Sequence, residues 1–141
     1  MIKGMFERIP PLESTEQLQI GWFAISHRWL NDKESRRNTY GEIYKISSKH
    51  GSVYRNIKFS PRLKGTAKKR EGQILLDWHA WITLSSTGNE KMPEELTIRR
   101  ANIFEIFYFS SSHPDPAYRH SMAIARIGLY VGLLSVILAF K

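Results

Sequence analysis

The chain has no cysteine, so neither a disulfide nor a thiolate can stabilise it or carry its chemistry. This absence excludes disulfide-stapled scaffolds, cysteine-ligated zinc sites and cysteine nucleophiles. It does not assign a compartment, because a protein without cysteine suits a reducing or an oxidising environment equally well.

Acidic residues are scarce: 13 Asp and Glu stand against 21 Lys and Arg, which gives a net charge of +8. The excess is concentrated between Arg28 and Arg70, where thirteen basic residues face three acids. A basic balance of this size favours anionic partners, such as nucleic acid, phospholipid headgroups or an acidic protein surface. The apolar fraction of 42% is that of a folded protein rather than a disordered one.

Catalytic and metal-binding motifs are also lacking. The five histidines are scattered without metal-ligand spacing, and neither a GxSxG elbow nor a glycine-rich phosphate loop occurs. Asp77 and His79 are two residues apart on a predicted strand, where an acid can orient a catalytic imidazole, although such pairs are more often structural. The sequence therefore predicts a protein without enzymatic activity, metal or cofactor, and a membrane-bound enzyme using this pair is a minor alternative.

The N-terminal third gives mixed signals. No secretory signal is expected, and residues 1–13 are expected to form an irregular arm. Ser14 opens a capping-box pattern, and apolar residues follow it at helical spacing as far as Trp29, which predicts a helix. The run LQIGWFAISHRWL within it would also suit a strand.

The middle of the chain reads as short strands separated by turns. Residues 40–47 and 52–60 predict a β-hairpin, with Gly51 as a turn residue that tolerates positive φ. Residues 73–85 predict a buried strand, and residues 96–110 predict one more. The expected fold class is α+β: a mainly antiparallel sheet of about four strands, a possible N-terminal helix and one C-terminal transmembrane helix. The sheet belongs to a basic domain over residues 14–112.

The C-terminal stretch ARIGLYVGLLSVILAFK decides the class of protein. Asp115 followed by Pro116 is a strong helix start. Met122 to Phe140 is 19 residues with one charge, or roughly 28 Å of helix, close to the thickness of a bilayer's hydrocarbon core. These features predict a transmembrane tail anchor over residues 116–140. Arg126 lies near its start, where a long side chain can snorkel back to the headgroups. A soluble domain with a buried helix is the alternative.

Small residues recur along one face of this predicted span, with the GxxxG pair Gly128 and Gly132 at its centre. Close backbone approach along such a face drives helix association in lipid, where apolar bulk gives little driving force. The face therefore predicts docking on a membrane-protein partner or self-association. Its members are Ser121, Ala125, Gly128, Gly132, Ser135 and Ala139.

Basic residues on the N-terminal side of the span predict its orientation and its contacts. The excess of Lys and Arg before the span places the N-terminal domain in the cytoplasm under the positive-inside rule, in a single-pass membrane protein. Basic residues close to the leaflet are expected to contact anionic lipid or phosphate. These are Arg62, Lys64, Lys68, Lys69, Arg70, Arg119 and Arg126.

Two functions follow. The first is a non-enzymatic single-span membrane protein, acting as an accessory or assembly subunit of a membrane complex or as a small homo-oligomer, with membrane lipid as one partner. The second is a soluble nucleic-acid-binding module with a buried C-terminal helix, in which the basic loop meets the phosphate backbone.

Overall fold

The computed structural model describes residues 1–9, 18–30, 32–60, 63, 72–89 and 92–140. The chain divides into two compact units, Met1–Ala101 and Asn102–Lys141. The first unit is built around a closed β-barrel, and the second is a pair of helices.

The barrel closes through strands from both ends of the first unit. In the described part of the chain its order is β1-β5-β2-β4-β3-β6, and β6 pairs with β1 to complete the ring. The strands are β1 Ile2–Ile9, β2 Trp22–Ser26, β3 Ile43–Ser47, β4 Ser52–Ser60, β5 Gln73–Leu75 and β6 Glu94–Arg100.

Two strand pairs are parallel and the others are antiparallel. In β1 and β5, Glu7 lies opposite Gln73, and in β2 and β4, Trp22 lies opposite Asn56. Parallel neighbours need a long crossover, because the chain must return to the starting edge before it enters the second strand. The crossover from β2 to β4 contains helix α1, Lys33–Thr39, and strand β3.

The predicted four-stranded, mainly antiparallel sheet is therefore wrong: the described residues form a closed mixed barrel of six strands, and four helices accompany it. The prediction paired strands that follow each other along the chain, and it assumed hairpin connections. Closure depends instead on pairs that are distant in sequence, such as Ile2 with Ile98. Side-chain alternation within a strand carries no information about such partners.

The N-terminal prediction needs the same correction. Residues 2–9, expected in an irregular arm, form β1, and residues 22–26, expected in a helix, form β2. The bulky, closely spaced side chains of β2 suit a strand that is buried from Phe23 onward. Residues 10–17, which include the capping-box pattern, lie outside the described residues.

The hairpin of β3 and β4 is confirmed, with Ile46 opposite Val53, but the role expected of Gly51 is not. Positive φ is found at Gly21, Gly41 and Gly88 among the described residues, and not at Gly51. A Cβ on Gly51 would lie 2.6 Å from the carbonyl oxygen of Thr83. Glycine is needed there because two backbones approach closely, not because of the turn's handedness.

Two predicted strands each contain a helix. In residues 73–85, β5 ends at Leu75 and helix α2, Trp78–Leu84, follows. In residues 96–110, β6 ends at Arg100 and helix α3, Ile103–Ser112, follows. Each helix begins after a capping residue whose side chain accepts a backbone N–H: Asp77 caps α2 and Asn102 caps α3.

The core of the first unit lies inside the barrel. Fully buried side chains from the strands, such as Phe6, Phe23 and Ile98, pack in one cluster with Trp81 and Leu84 of α2. Trp78, three residues before Trp81, is 43% exposed. The helical turn thus separates the two tryptophans, with one in the core and the other at the surface.

A half-buried ion pair joins α2 to the barrel wall. Arg55 of β4 donates from Nε to the Asp77 carboxylate at 2.8 Å and from Nη2 at 3.3 Å, while the Ala80 N–H donates to the same carboxylate at 2.9 Å. Burial opposes ionisation of Asp77, but the hydrogen bond and charge of Arg55, together with the Ala80 N–H, outweigh it and lower the pKa from 3.8.

Replacement of Asp77 by Asn should destabilise the barrel at neutral pH by about 2 kcal/mol, because the amide keeps the helix cap but leaves the Arg55 charge unpaired. A carboxyl group whose pKa is lowered on folding stabilises above its unfolded pKa and loses this effect as the pH falls through the folded value. The difference from wild type should therefore shrink below pH 3.8. Urea unfolding of the full chain in nonionic detergent, at neutral pH and at about pH 3, measures this difference in the free energy of unfolding.

The control is Glu95→Gln, which removes the exposed ion pair between Lys3 and Glu95 and should change the free energy of unfolding by well under 1 kcal/mol, roughly the worth of a surface pair. An equal loss at both pH values in Asp77→Asn would contradict the electrostatic explanation.

Candidate membrane-anchoring site

The second unit is a helical hairpin made of α3 and helix α4, Pro116–Ala139. Both helices have well-formed starts. Asn102 accepts the Glu105 N–H at 2.9 Å while the Glu105 carboxylate accepts the Asn102 N–H at 2.9 Å. Asp115 accepts the Ala117 N–H at 2.9 Å, and Pro116 occupies the first turn of α4. These caps satisfy backbone donors at the points where the chain turns.

Contacts between aromatic rings hold the turn between the two helices. The buried imidazole of His113 lies 4.9 Å from the ring of Phe109 on α3 and 4.2 Å from the ring of Tyr118 on α4, measured between centroids. His113 Nδ1 also accepts the Asp115 N–H at 3.0 Å. Because one side chain contacts both helices and the loop backbone, the turn has a defined geometry.

Arg126 of α4 binds the C-terminal end of α3. Its guanidinium donates to the Phe107 carbonyl at 2.8 Å, to Ser111 Oγ at 2.6 Å and to Ser110 Oγ. The guanidinium carbon also lies 4.1 Å from the centroid of the Phe107 ring. The Phe107 carbonyl also accepts the Ser110 hydroxyl at 2.8 Å and the Ser111 hydroxyl at 3.3 Å, so the guanidinium meets one carbonyl and both hydroxyls together. The C-terminal end of a helix carries partial negative charge, so a cation placed near it is stabilised.

The snorkelling expected for Arg126 concerns a bilayer and stays a prediction. In the structure, the Arg126 guanidinium reaches α3, which supplies three hydrogen-bond acceptors and an aromatic face. The Nε of Arg126 is buried and has no acceptor among the described residues. An arginine with most of its donors satisfied by the protein has a smaller desolvation penalty on entering an apolar environment than one that depends on water.

Helix α4 has the length and composition to cross a membrane. It is 24 residues long, or about 36 Å at the α-helical rise, against roughly 30 Å for the hydrocarbon core. None of its residues is buried, and the apolar side chains from Leu129 to Leu138 are all more than half exposed. Its two serines donate back to carbonyls in their own helix, Ser121 to Ala117 at 3.0 Å and Ser135 to Val131 at 2.9 Å. These hydroxyls therefore need no water.

The predicted docking face lies on a different side of α4 from α3. The residues of α4 that are partly covered are Tyr118, Met122 and Arg126, one turn apart, and they mark the side towards α3. At 100° per residue, Arg126 lies about 140° around the axis from the centre of the small-residue face. No other described atom lies within 4 Å of a Cβ built on Gly128 or Gly132. The face is thus continuous and uncovered: Ser121, Ala125, Gly128, Gly132, Ser135 and Ala139.

Helix α3 also presents an apolar surface. Ile103 is 76% exposed, Phe104 82%, Phe107 51% and Tyr108 64%. With Ile106 at 37%, five large side chains are exposed within six residues, and they form a patch of the kind that marks an interaction site rather than an ordinary protein surface.

Only two of the residues predicted to contact anions lie within the described part of the chain. Arg119 is exposed in the first turns of α4, and Arg126 is bound to α3 as described. Arg62, Lys64, Lys68, Lys69 and Arg70 lie outside the described residues.

The alternative catalytic pair is not formed. Asp77 is the N-cap of α2 and is paired with Arg55, whereas His79 is exposed on the helix and not on the same strand face. Within the described residues, no group of three or more His, Asp or Glu is placed to hold a metal ion.

Sequence reasoning missed α3, although a signal was present. Asn102 and Glu105 form an N-cap and third-residue pair of capping-box type, which indicates a helix start after the strand. The aromatic and β-branched content of IFEIFYF favoured a strand instead. Without α3, the acceptors for Arg126 could not be identified.

No protein-family model matches the chain, and no curated protein sequence is similar to it at the threshold of significance.

Replacement of Arg126 by Gln should loosen the hairpin, because three contacts to α3 are lost at once. Hydrogen bonds to a charged group are each worth roughly 1.5–3 kcal/mol, so amide hydrogen exchange of α3 should be accelerated about tenfold or more. Hydrogen-exchange mass spectrometry of the full chain in detergent measures this effect. The control is Arg119→Gln, which removes the same charge from the exposed first turns of α4. Equal exchange in the two variants would mean that Arg126 does not hold α3.

Proposed function

We propose that this protein is a non-enzymatic, single-span membrane protein that α4 anchors, and that it serves as an accessory or assembly subunit of a membrane complex or forms a small homo-oligomer. The observation that carries the proposal is an apolar 24-residue helix with no buried residue. In water, such a helix would expose more contiguous apolar surface than soluble proteins tolerate. The competing soluble function needs this helix to be buried.

Helix α3 supports the proposal through its depth. Because Arg126 contacts Phe107, Ser110 and Ser111, α3 lies at the level of Arg126, near the start of the apolar segment. That level corresponds to the boundary between headgroups and acyl chains. Aromatic and branched side chains such as Phe104 and Tyr108 bind favourably at this boundary. Helix α3 then acts as an interfacial helix beside the span, and it supplies the acceptors that allow Arg126 to approach the hydrocarbon.

The small-residue face is the proposed docking surface for another transmembrane helix. It lies away from α3, and a neighbouring backbone can approach closely at Gly128 and Gly132 because nothing occupies the space in front of them. The basic first unit is proposed to lie in the cytoplasm, where the excess of Lys and Arg follows the positive-inside rule and favours contact with anionic lipid or a protein partner.

A full-length chain with Leu133→Lys and Ile137→Lys should be released from membranes by carbonate, whereas the wild type should stay in the membrane pellet. A lysine near the middle of a span costs about 2.5–3.5 kcal/mol on the insertion scale, so two should offset most of the hydrophobic gain. The matched control is Leu133→Ile with Ile137→Leu, which keeps the apolar character. Wild-type protein that is monodisperse in buffer without detergent would contradict the membrane anchor.

Replacement of Gly128 and Gly132 by Leu should abolish association through α4, because the added side chains keep the neighbouring backbone away. Chemical crosslinking in native membranes, followed by size analysis, reports the assembly. Ala123→Leu adds bulk on the opposite side of the helix and should leave the assembly intact. If the glycine variant assembles as the wild type does, the small-residue face is not the docking surface.

A further inference from the structure

A basic cavity opens on the barrel unit beside α1. It has a volume of about 520 Å³, within the range of roughly 300–1,000 Å³ that is typical of small-molecule sites. The described residues that line it are three cationic side chains, one histidine and two aromatic side chains, and none of them is a carboxylate. They are Lys33, Arg36, Arg37, His27, Tyr40 and Phe59.

A second, smaller cavity of about 220 Å³ shares Tyr40 with the first. Trp22 and Lys58 line it together with Gln19. The rings of Trp22 and Tyr40 lie 5.2 Å apart at 47°, and Tyr40 is 56% exposed. Tyr40 therefore lines both cavities and remains accessible, and each cavity has at least one cationic side chain in its lining.

The walls of these cavities are held in place by the barrel. Asp32 caps α1 by accepting the Ser35 N–H at 2.7 Å, and the Arg36 guanidinium donates to the Leu30 carbonyl. Directly after Tyr40, the Gly41 N–H donates to the Ile57 carbonyl at 2.9 Å on β4. Gly41 has a φ of +82°, and a Cβ there would contact the Trp22 ring at 3.4 Å. Tyr40 is thus positioned by a glycine turn that fits against Trp22.

The described lining of the main cavity contains cationic side chains and no carboxylate. The nearby Asp32 carboxylate accepts backbone N–H groups of α1 and is attracted by the charge of Arg36, and Glu42 pairs with Arg100. Like charges in a concave surface raise the local concentration of anions. In addition, His27 Nδ1 is buried and has no hydrogen-bond partner among the described residues.

We propose that these two cavities form a nucleotide-binding site, in which Lys33, Arg36 and Arg37 bind the phosphate groups and the base stacks on the aromatic side chains around Tyr40. Guanidinium and ammonium groups are the protein groups that best bind phosphate, and stacking on exposed aromatic rings is the common way to hold a planar base. Exposed cations alone are typical of a solvated surface. Cations that share a cavity with an accessible aromatic ring favour a ligand that carries both negative charge and a planar ring.

The test uses the full chain in nonionic detergent, with isothermal titration calorimetry and intrinsic tryptophan fluorescence as readouts. The probes are the four ribonucleoside triphosphates, their nucleosides and inorganic triphosphate. At least one nucleotide should bind about tenfold more tightly than its nucleoside and than inorganic triphosphate, since both the charge and the ring contribute. The double variant Lys33→Glu with Arg37→Glu should lose about tenfold or more in affinity, and Tyr40→Ala should bind the nucleotide no better than inorganic triphosphate.

Lys33 and Arg37 are exposed, so their replacement does not disturb the barrel core. The matched control is Lys3→Glu with Lys49→Glu, which changes the net charge equally at other exposed positions and should bind as the wild type does.

An equal loss of affinity in both double variants would mean that only the net charge matters, and it would overturn the site. Failure of every nucleotide would also overturn it, including the case in which a single-stranded oligoribonucleotide binds. Binding of inorganic triphosphate as tight as that of any nucleotide would remove the role of the aromatic rings. Membrane extraction and helix docking are measured separately, so none of these results depends on the proposed anchor.

Discussion

The guanidinium of Arg126 is the interaction on which the second unit depends. It joins α4 to the end of α3 through the Phe107 carbonyl, the hydroxyls of Ser110 and Ser111 and the Phe107 ring. Without α3, α4 would carry a poorly solvated charge at the start of its apolar segment. Without Arg126, the Phe107 carbonyl and the hydroxyls of Ser110 and Ser111 would lose the cation that they bind together. Charge satisfaction and helix placement are therefore one constraint, and it fixes α3 at the depth where α4 becomes apolar.

The two units are suited to different surroundings. The barrel unit buries two apolar clusters and carries an excess of basic side chains, a charge balance that favours anionic partners. In the helical unit Phe109 is buried, whereas most of the other large apolar side chains are exposed along both helices. In the proposed function, a bilayer and its aqueous phase supply these two surroundings.

Sequence patterns recovered local features well when the signal lay within one element. The hairpin of β3 and β4 follows from alternation around a short turn. The helix from Pro116 follows from an Asp-Pro start and an uninterrupted apolar run. The sequence patterns predicted the secondary structure less well where one apolar run contained both a strand and a helix, as in residues 73–85 and 96–110. In both runs the side chains favoured a strand, while a single capping residue, Asp77 or Asn102, started a helix.

The sequence by itself determined the length and apolar character of the C-terminal helix, the small-residue face and the basic charge, because these depend on composition and on spacing along one helix. Only the tertiary structure decided the closed barrel, the contact of Arg126 with α3 and the cavity beside α1. Each of these brings together residues that are far apart in sequence, such as Ile2 with Ile98, Arg126 with Phe107, or Lys33 with Phe59. The periodicity of a helix or strand specifies which side of the element a residue occupies, but it does not specify what the rest of the chain places against that side.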